Sequence, residues 1–142
     1  MVLIAHRGNV SGRNPEKENN PLYVKSALNQ GFDAEIDVWV NDEKYYLGHD
    51  EPVYSVEESF LANEKIWCHA KNIQALSKML TNNKIHCFWH QSDDVTLTSN
   101  GFIWTYPGKP LTEKSICVLP DPEEIVSKCY GICSDSVYNF KT

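Results

Sequence analysis

The sequence predicts an α/β fold built on parallel strands, in a single domain over residues 1–142. Two observations carry that expectation. Strand-length apolar runs alternate with helical stretches through the first half of the chain, the arrangement of βαβ units. Residues able to do chemistry gather at the carboxyl ends of those runs, where parallel sheets and barrels build their sites.

Val2–Ala5 reads as the first strand. Asn9–Asn20 mixes Asn, Gly, Ser and charge without apolar periodicity and reads as a loop. Pro21 opens a helix over Leu22–Asn29, with Leu22, Ala27 and Leu28 as its apolar positions and Gly31 as its stop. Ala34–Val40 alternates: Ile36, Val38 and Val40 share one face, and Glu35, Asp37 and Trp39 the other. Asn41-Asp42 is a turn, and Lys44–Leu47 returns as the second strand of a hairpin. Val56–Ala62 suits a short helix and Ile66–Ala70 a strand. Asn72–Leu80 has the clearest helical spacing, with Ile73, Leu76, Met79 and Leu80 apolar and Asn72 as N-cap. Short strands are expected at Ile85–Trp89, Thr96–Leu97, Phe102–Thr105 and Ser115–Leu119. Glu123–Lys128 suits a short helix after Asp121-Pro122, and Tyr130–Cys133 is the last strand. Gln91–Gly101 and Pro107–Lys114 are too polar and short for crossover helices, so the fold is stripped on that side.

Composition narrows the function. Thirteen basic against nineteen acidic side chains leave a net charge of −6, which disfavours nucleic acid as a partner. No Lys/Arg cluster suits a polybasic membrane anchor, and no apolar run is long enough to span a bilayer. The first residues lack a signal-peptide pattern, and His6-Arg7-Gly8 interrupts the apolar start. Cys68, Cys87, Cys117, Cys129 and Cys133 are odd in number, and three lie within strand-like runs; buried reduced thiols in a cytoplasmic protein are the expectation. The Cys129/Cys133 spacing lacks the second Cys/His pair of a zinc site. His86 precedes its strand and is assigned to structure or surface.

The candidate site collects from several strand ends. His6-Arg7 ends the first strand, Glu35 and Asp37 share a face of the second, and His49-Asp50 ends its hairpin partner. His69 and Lys71, then His90, then Ser134-Asp135 end later strands. Two carboxylates at i, i+2 suit a hard divalent cation such as Mg²⁺ or Ca²⁺. Two histidines can act as general base and general acid near neutral pH. An Arg can clamp a phosphate through two nitrogens and a Lys can add a point charge. Together these groups suit phosphodiester cleavage. Trp104 and Tyr106, ahead of Pro107-Gly108, are candidates for a pocket wall. His90 could complete the site, and Asp93-Asp94 beside it reads equally well as a solvated loop.

The ordered set Ile4-Ala5-His6-Arg7-Gly8, Glu18-Asn19, Gly31-Phe32-Asp33-Ala34-Glu35-Ile36-Asp37-Val38 and Leu47-Gly48-His49-Asp50 resembles the amino-terminal signature of glycerophosphodiester phosphodiesterases. These belong to the wider group of phosphatidylinositol-phospholipase-C-like phosphodiesterases. The resemblance covers residues 4–50 and thins from Ile66 to Asp135. It implies a compact, helix-reduced TIM-type (β/α) barrel, because 142 residues is far below the ~250 of a full one. It implies a divalent ion on Glu35 and Asp37, an acid/base pair in His6 and His49, phosphate contact by Arg7 and Lys71, and Glu18 and Asn19 beside the site. The implied reaction is hydrolysis of a glycerophosphodiester-like substrate, small or polymer-borne, to an alcohol and a phosphomonoester.

His69 stands where the family carries a further metal-binding Glu, two residues before the Lys. An imidazole there opens the site to Mn²⁺ or Zn²⁺ beside Mg²⁺ or Ca²⁺, or frees His69 to contact substrate. Strands without covering helices leave apolar surface for a partner, and a homodimer is the expectation. Two other readings fit the same residues: a non-catalytic phosphate-ester-binding protein, and a lyase forming a cyclic phosphate.

Overall fold

The computed structural model describes residues 1–123 and 128–142. The elements run β1 (Val2–His6), α1 (Pro21–Asn29), β2 (Asp33–Asn41), β3 (Lys44–Leu47), β4 (Tyr54–Val56) and α2 (Glu58–Leu61). They continue with β5 (Ile66–Ala70), α3 (Ile73–Met79), β6 (Cys87–Phe88), β7 (Val95–Leu97), β8 (Ile103–Thr105), β9 (Ser115–Val118) and β10 (Gly131–Ser134). A 3-10 turn at Val137–Phe140 follows. The helix expected at Glu123–Lys128 has residues 124–127 outside the described set.

Parallel pairing runs β6-β5-β2-β1-β10-β9-β8. β3 and β4 add an antiparallel flank to the carboxyl half of β2, and β7 pairs antiparallel with β8. Asp42 and Glu43, with φ of 49° and 64°, make the tight β2–β3 turn, the left-handed pair that a two-residue hairpin requires.

The expected TIM-type barrel is not formed. The molecule is a curled mixed sheet, a half-barrel, with helices of only nine, four and seven residues. Among the described residues no strand ladder joins β6 to β7 or β8. The reason lies in the connections. A parallel strand needs a long crossover, usually a helix, to return the chain to its starting edge. The segments after β6 and β8 are short polar loops, so β7 folds back antiparallel and β6 keeps only two paired residues. Ser99 N–H on the Cys87 carbonyl, at 2.8 Å, crosses the seam instead.

Two apolar cores lie on the two faces of the sheet. Outside, Val24 and Ala27 of α1 and Ala75 and Met79 of α3 cover Ala5, Ala34, Ile36 and Val38. Inside the curl, Ile4, Trp67, Phe88, Trp104, Ile116 and Cys133 form an aromatic-rich plug. β2 is therefore buried on both faces, which takes its two carboxylates out of water. In α3 the sequence expectation is half corrected. Met79 is buried, but Ile73 and Leu80 are exposed. Asn72 caps the helix through Ala75 N–H and also bonds both Val40 N–H and Val40 C=O. That anchor places Ala75 and Met79 against the sheet.

All five cysteines are free of disulfides, and four are buried. Among the described residues no helix is long and apolar enough to cross a membrane.

Candidate functional site

Strand alternation and register assemble the centre of the site. Glu35 and Asp37 project from the same face of β2, and Asp37 is the register partner of His69 on β5. Glu35 is 2% exposed and Asp37 1%. Each carboxylate divides its work between two oxygens. Glu35 Oε2 accepts the backbone N–H of Arg7 at 3.2 Å. Asp37 Oδ2 accepts Asn19 Nδ2 at 2.9 Å and lies 3.2 Å from Arg7 Nε. The remaining oxygens face His69 Nδ1, Asp37 Oδ1 at 3.4 Å and Glu35 Oε1 at 3.8 Å. Asp37 Oδ1 is buried without a hydrogen bond.

His69 is oriented from its other side. Its Nε2 donates to the His90 carbonyl at 2.8 Å, and the ring stacks on Phe88 at a 14° interplanar angle. With the Nε2 proton committed, a neutral His69 turns the Nδ1 lone pair toward the two carboxylate oxygens. Three electron-rich atoms then converge, all within 4.8 Å of one another. A proton on one of these atoms or a cation among them relieves that repulsion. Burial raises the Glu35 pKa, and the neighbouring Asp37 charge adds to it. Burial pushes Asp37 upward too, but the adjacent His69 ring, the Arg7 charge and the Asn19 hydrogen bond outweigh it and hold that carboxyl low. The two carboxyls are driven apart, as in many acid–base or metal sites.

The β1–α1 loop supplies the second part. Arg7 (φ 54°) and Gly8 (φ 87°) are consecutive left-handed residues. A Cβ at position 8 would lie 3.1 Å from the Tyr23 ring and 3.3 Å from Val24 Cα, so glycine lets the loop press onto α1. Arg7 offsets its conformation with ion pairs: Nη1 reaches Glu18 at 3.1 Å while Nε faces Asp37. Two of its three guanidinium nitrogens thus point at carboxylates. Glu18 also accepts from Asn9 and Arg13, and Asn19 bonds both the side chain and the N–H of Asp37.

His6 Nδ1 bonds Asp135 at 2.7 Å, and its Nε2 stands 3.8 Å from Glu35 Oε2. Burial disfavours the imidazolium, but the Asp135 hydrogen bond and the Glu35 charge prevail, and the His6 pKa lies above the ordinary 6.5. Sequence reasoning sets Asp135 at a strand end without giving it a role, and it leaves out Asn9, which also donates to Asp135. The signal for Asp135 is its place just after the last strand, at the same end as His6. It becomes decisive only through the β1/β10 pairing, which sets Ala5 beside Ser134.

A cavity of about 420 Å³ opens over these groups. His6, Arg7, Glu35, His49, His69 and Lys71 line it, together with His90, Trp104, Tyr106 and Leu119. Glu18 and Asn19 lie instead on a neighbouring cavity of about 220 Å³, which shares Arg7 and His49 with the first. His49 bonds Asp50 through Nδ1 at 2.7 Å and is 41% exposed. Trp39 holds its loop by donating to the Gly48 carbonyl at 2.6 Å. Trp104 is almost wholly buried in the plug, and Tyr106 stands half-exposed edge-on to His90. His86 lies far below, buried against Trp67 and bonded to Thr98.

No family model matches the chain, and no curated protein or solved structure does either.

The residues fit a divalent cation. Two carboxylate oxygens and an imidazole nitrogen converge, each oriented by a supporting group: the Arg7 N–H for Glu35, Asn19 for Asp37 and the His90 carbonyl for His69. A cation there would give the buried Asp37 Oδ1 the partner it lacks.

Proposed function

We propose that this protein is a metal-dependent phosphodiesterase that hydrolyses a glycerophosphodiester-like substrate to an alcohol and a phosphomonoester. The observation that carries the reading is one cavity lined by His6, His49 and Lys71 together with Glu35 and His69 of the carboxylate–histidine cluster. The ordered resemblance over residues 4–50 to glycerophosphodiester phosphodiesterases supports the same reaction class.

Glu35, Asp37 and His69 would hold the ion, which when bound stabilises negative charge on the phosphoryl oxygens. Lys71 adds a point charge at the cavity wall. Arg7 chiefly braces Glu18 and Asp37, which leaves it one uncommitted nitrogen for the substrate. His6 and His49 each have Nδ1 occupied by an aspartate, so Nε2 is the atom that exchanges a proton. One takes the proton of the attacking water as its oxygen bonds phosphorus. The other gives a proton to the alcohol oxygen as the P–O bond breaks. Trp104 and Tyr106 form a wall for the organic part of a small or polymer-borne ester.

Free cysteines suit residence in a reducing cytoplasm. Self-association through the sparsely covered half of the sheet accompanies the reading, and light scattering at micromolar concentration should give a dimer mass; a monomer removes that part alone.

The test is ³¹P NMR of glycerophosphocholine with the metal-loaded protein, beside His6→Ala and His49→Ala. A phosphomonoester product, a bell-shaped pH dependence and loss of turnover in both variants are expected. A cyclic phosphate product would instead make the protein a lyase. Binding without turnover would make it a phosphate-ester-binding protein.

A further inference from the structure

Resting on the metal-site reading above, we infer that this centre selects a borderline transition ion, of the Mn²⁺ to Zn²⁺ series, over Mg²⁺ and Ca²⁺, and that His69 imposes the selection. The inference begins with donor number. Mg²⁺ and Ca²⁺ are hard ions that take oxygen ligands, and Ca²⁺ needs six to eight. Here the protein offers two carboxylate oxygens, because Glu35 Oε2 and Asp37 Oδ2 are held by Arg7 and Asn19. The third converging atom is a nitrogen, His69 Nδ1, at 3.4 Å from Asp37 Oδ1. Imidazole suits the transition series, whose affinities for such mixed sites rise from Mn²⁺ toward Cu²⁺.

His69 is also held in place for this work. The Nε2 proton is committed to the His90 carbonyl, and the ring lies flat on Phe88. A ring flip that moved Nδ1 away would break the hydrogen bond to the His90 carbonyl and turn a ring carbon toward the buried Asp37 Oδ1. The same geometry fixes which nitrogen keeps its proton when the ion binds. It also keeps that proton in a hydrogen bond and slow to exchange.

The test titrates metal-stripped protein with Mn²⁺, Co²⁺, Mg²⁺ and Ca²⁺ by calorimetry, beside His69→Glu and Asp37→Asn. Zn²⁺ is left out of the ranking because cysteine thiolates can bind it. Co²⁺ and Mn²⁺ should bind at least about tenfold more tightly than Mg²⁺, and His69→Glu should shrink or reverse that ratio. Proton NMR of the Co²⁺-loaded protein should show one paramagnetically shifted, exchangeable imidazole N–H, absent from His69→Glu. Mg²⁺ or Ca²⁺ binding as tightly as Co²⁺, or a ratio unchanged in His69→Glu, would overturn the selection and leave metal-dependent hydrolysis standing. No binding of any ion by a folded protein would overturn both. Asp37→Asn should bind no ion of the set tightly; unchanged affinity would put the ion elsewhere and end the inference.

Discussion

Asp135 is one residue beyond a strand and a quarter exposed, a strand-end carboxylate to which the sequence assigns no role, yet it holds the histidine that ends the first strand. Its carboxylate fixes the proton on His6 Nδ1 and leaves Nε2 for exchange. Asp135→Asn keeps an acceptor but removes the charge that favours the imidazolium. That substitution should lower kcat about a hundredfold with KM little changed, read by steady-state kinetics on a protein of unaltered circular dichroism. An equal rise in KM at constant kcat would make Asp135 a binding group instead. At this scale the sequence is readable where chemistry is carried by type and spacing. Glu35, Asp37, His6 and His69 all come to one place because strand alternation is a rule of period two. Asn9 escapes, and Asp135 is named without its role, because polar loop residues look alike until the strand order is known.

Element boundaries in the first half follow their local signals closely. Asn20 caps α1 by accepting from Leu22 N–H ahead of Pro21, and Asn72 caps α3. Asn72 does more than a cap, since its two bonds to Val40 tie α3 to β2, the strand that carries the carboxylates. Asn72→Ala should therefore destabilise the protein by about 1–3 kcal/mol in chemical denaturation, more than a cap alone at the upper end. A loss under about 0.5 kcal/mol would show that the Val40 bonds are readily replaced by water. The buried face of α3 is half legible. Periodicity picks out Met79, which is buried, but also Ile73 and Leu80, which are exposed, and the tertiary anchor at Asn72 shows why Ala75 joins Met79 on the inner face. β4 escapes as well, because Tyr54-Ser55-Val56 is too short a run for its alternation to stand out.

At the scale of the molecule, parallel pairing was readable from alternating strands and helices, but closure was not. Whether a sheet curls into a full barrel depends on crossovers, and loops 89–94 and 106–114 supply none. The half-barrel compensates with an aromatic plug, and His86 is part of it. Burial lowers the His86 pKa to about 4, against 6.5 in the unfolded chain. A depressed base stabilises the fold fully above pH 6.5, and that contribution is lost as pH falls from 6.5 toward 4. The difference is on the order of 3 kcal/mol. Denaturation of wild type and His86→Gln at pH 7 and pH 4.5 should show wild type losing more of its stability. Parallel losses would place the acid sensitivity elsewhere.

The central claim is that a bound ion and the His6/His49 pair cleave a phosphodiester in the shared cavity. Hydrolysis of bis(p-nitrophenyl) phosphate by metal-stripped protein, before and after addition of Mn²⁺, tests it most directly, with His6→Ala and Asp37→Asn run alongside. The account predicts no turnover without the ion, turnover on adding it, and losses of at least about a hundredfold in both variants. Equal turnover in EDTA, or none with any ion from a folded protein, would contradict it.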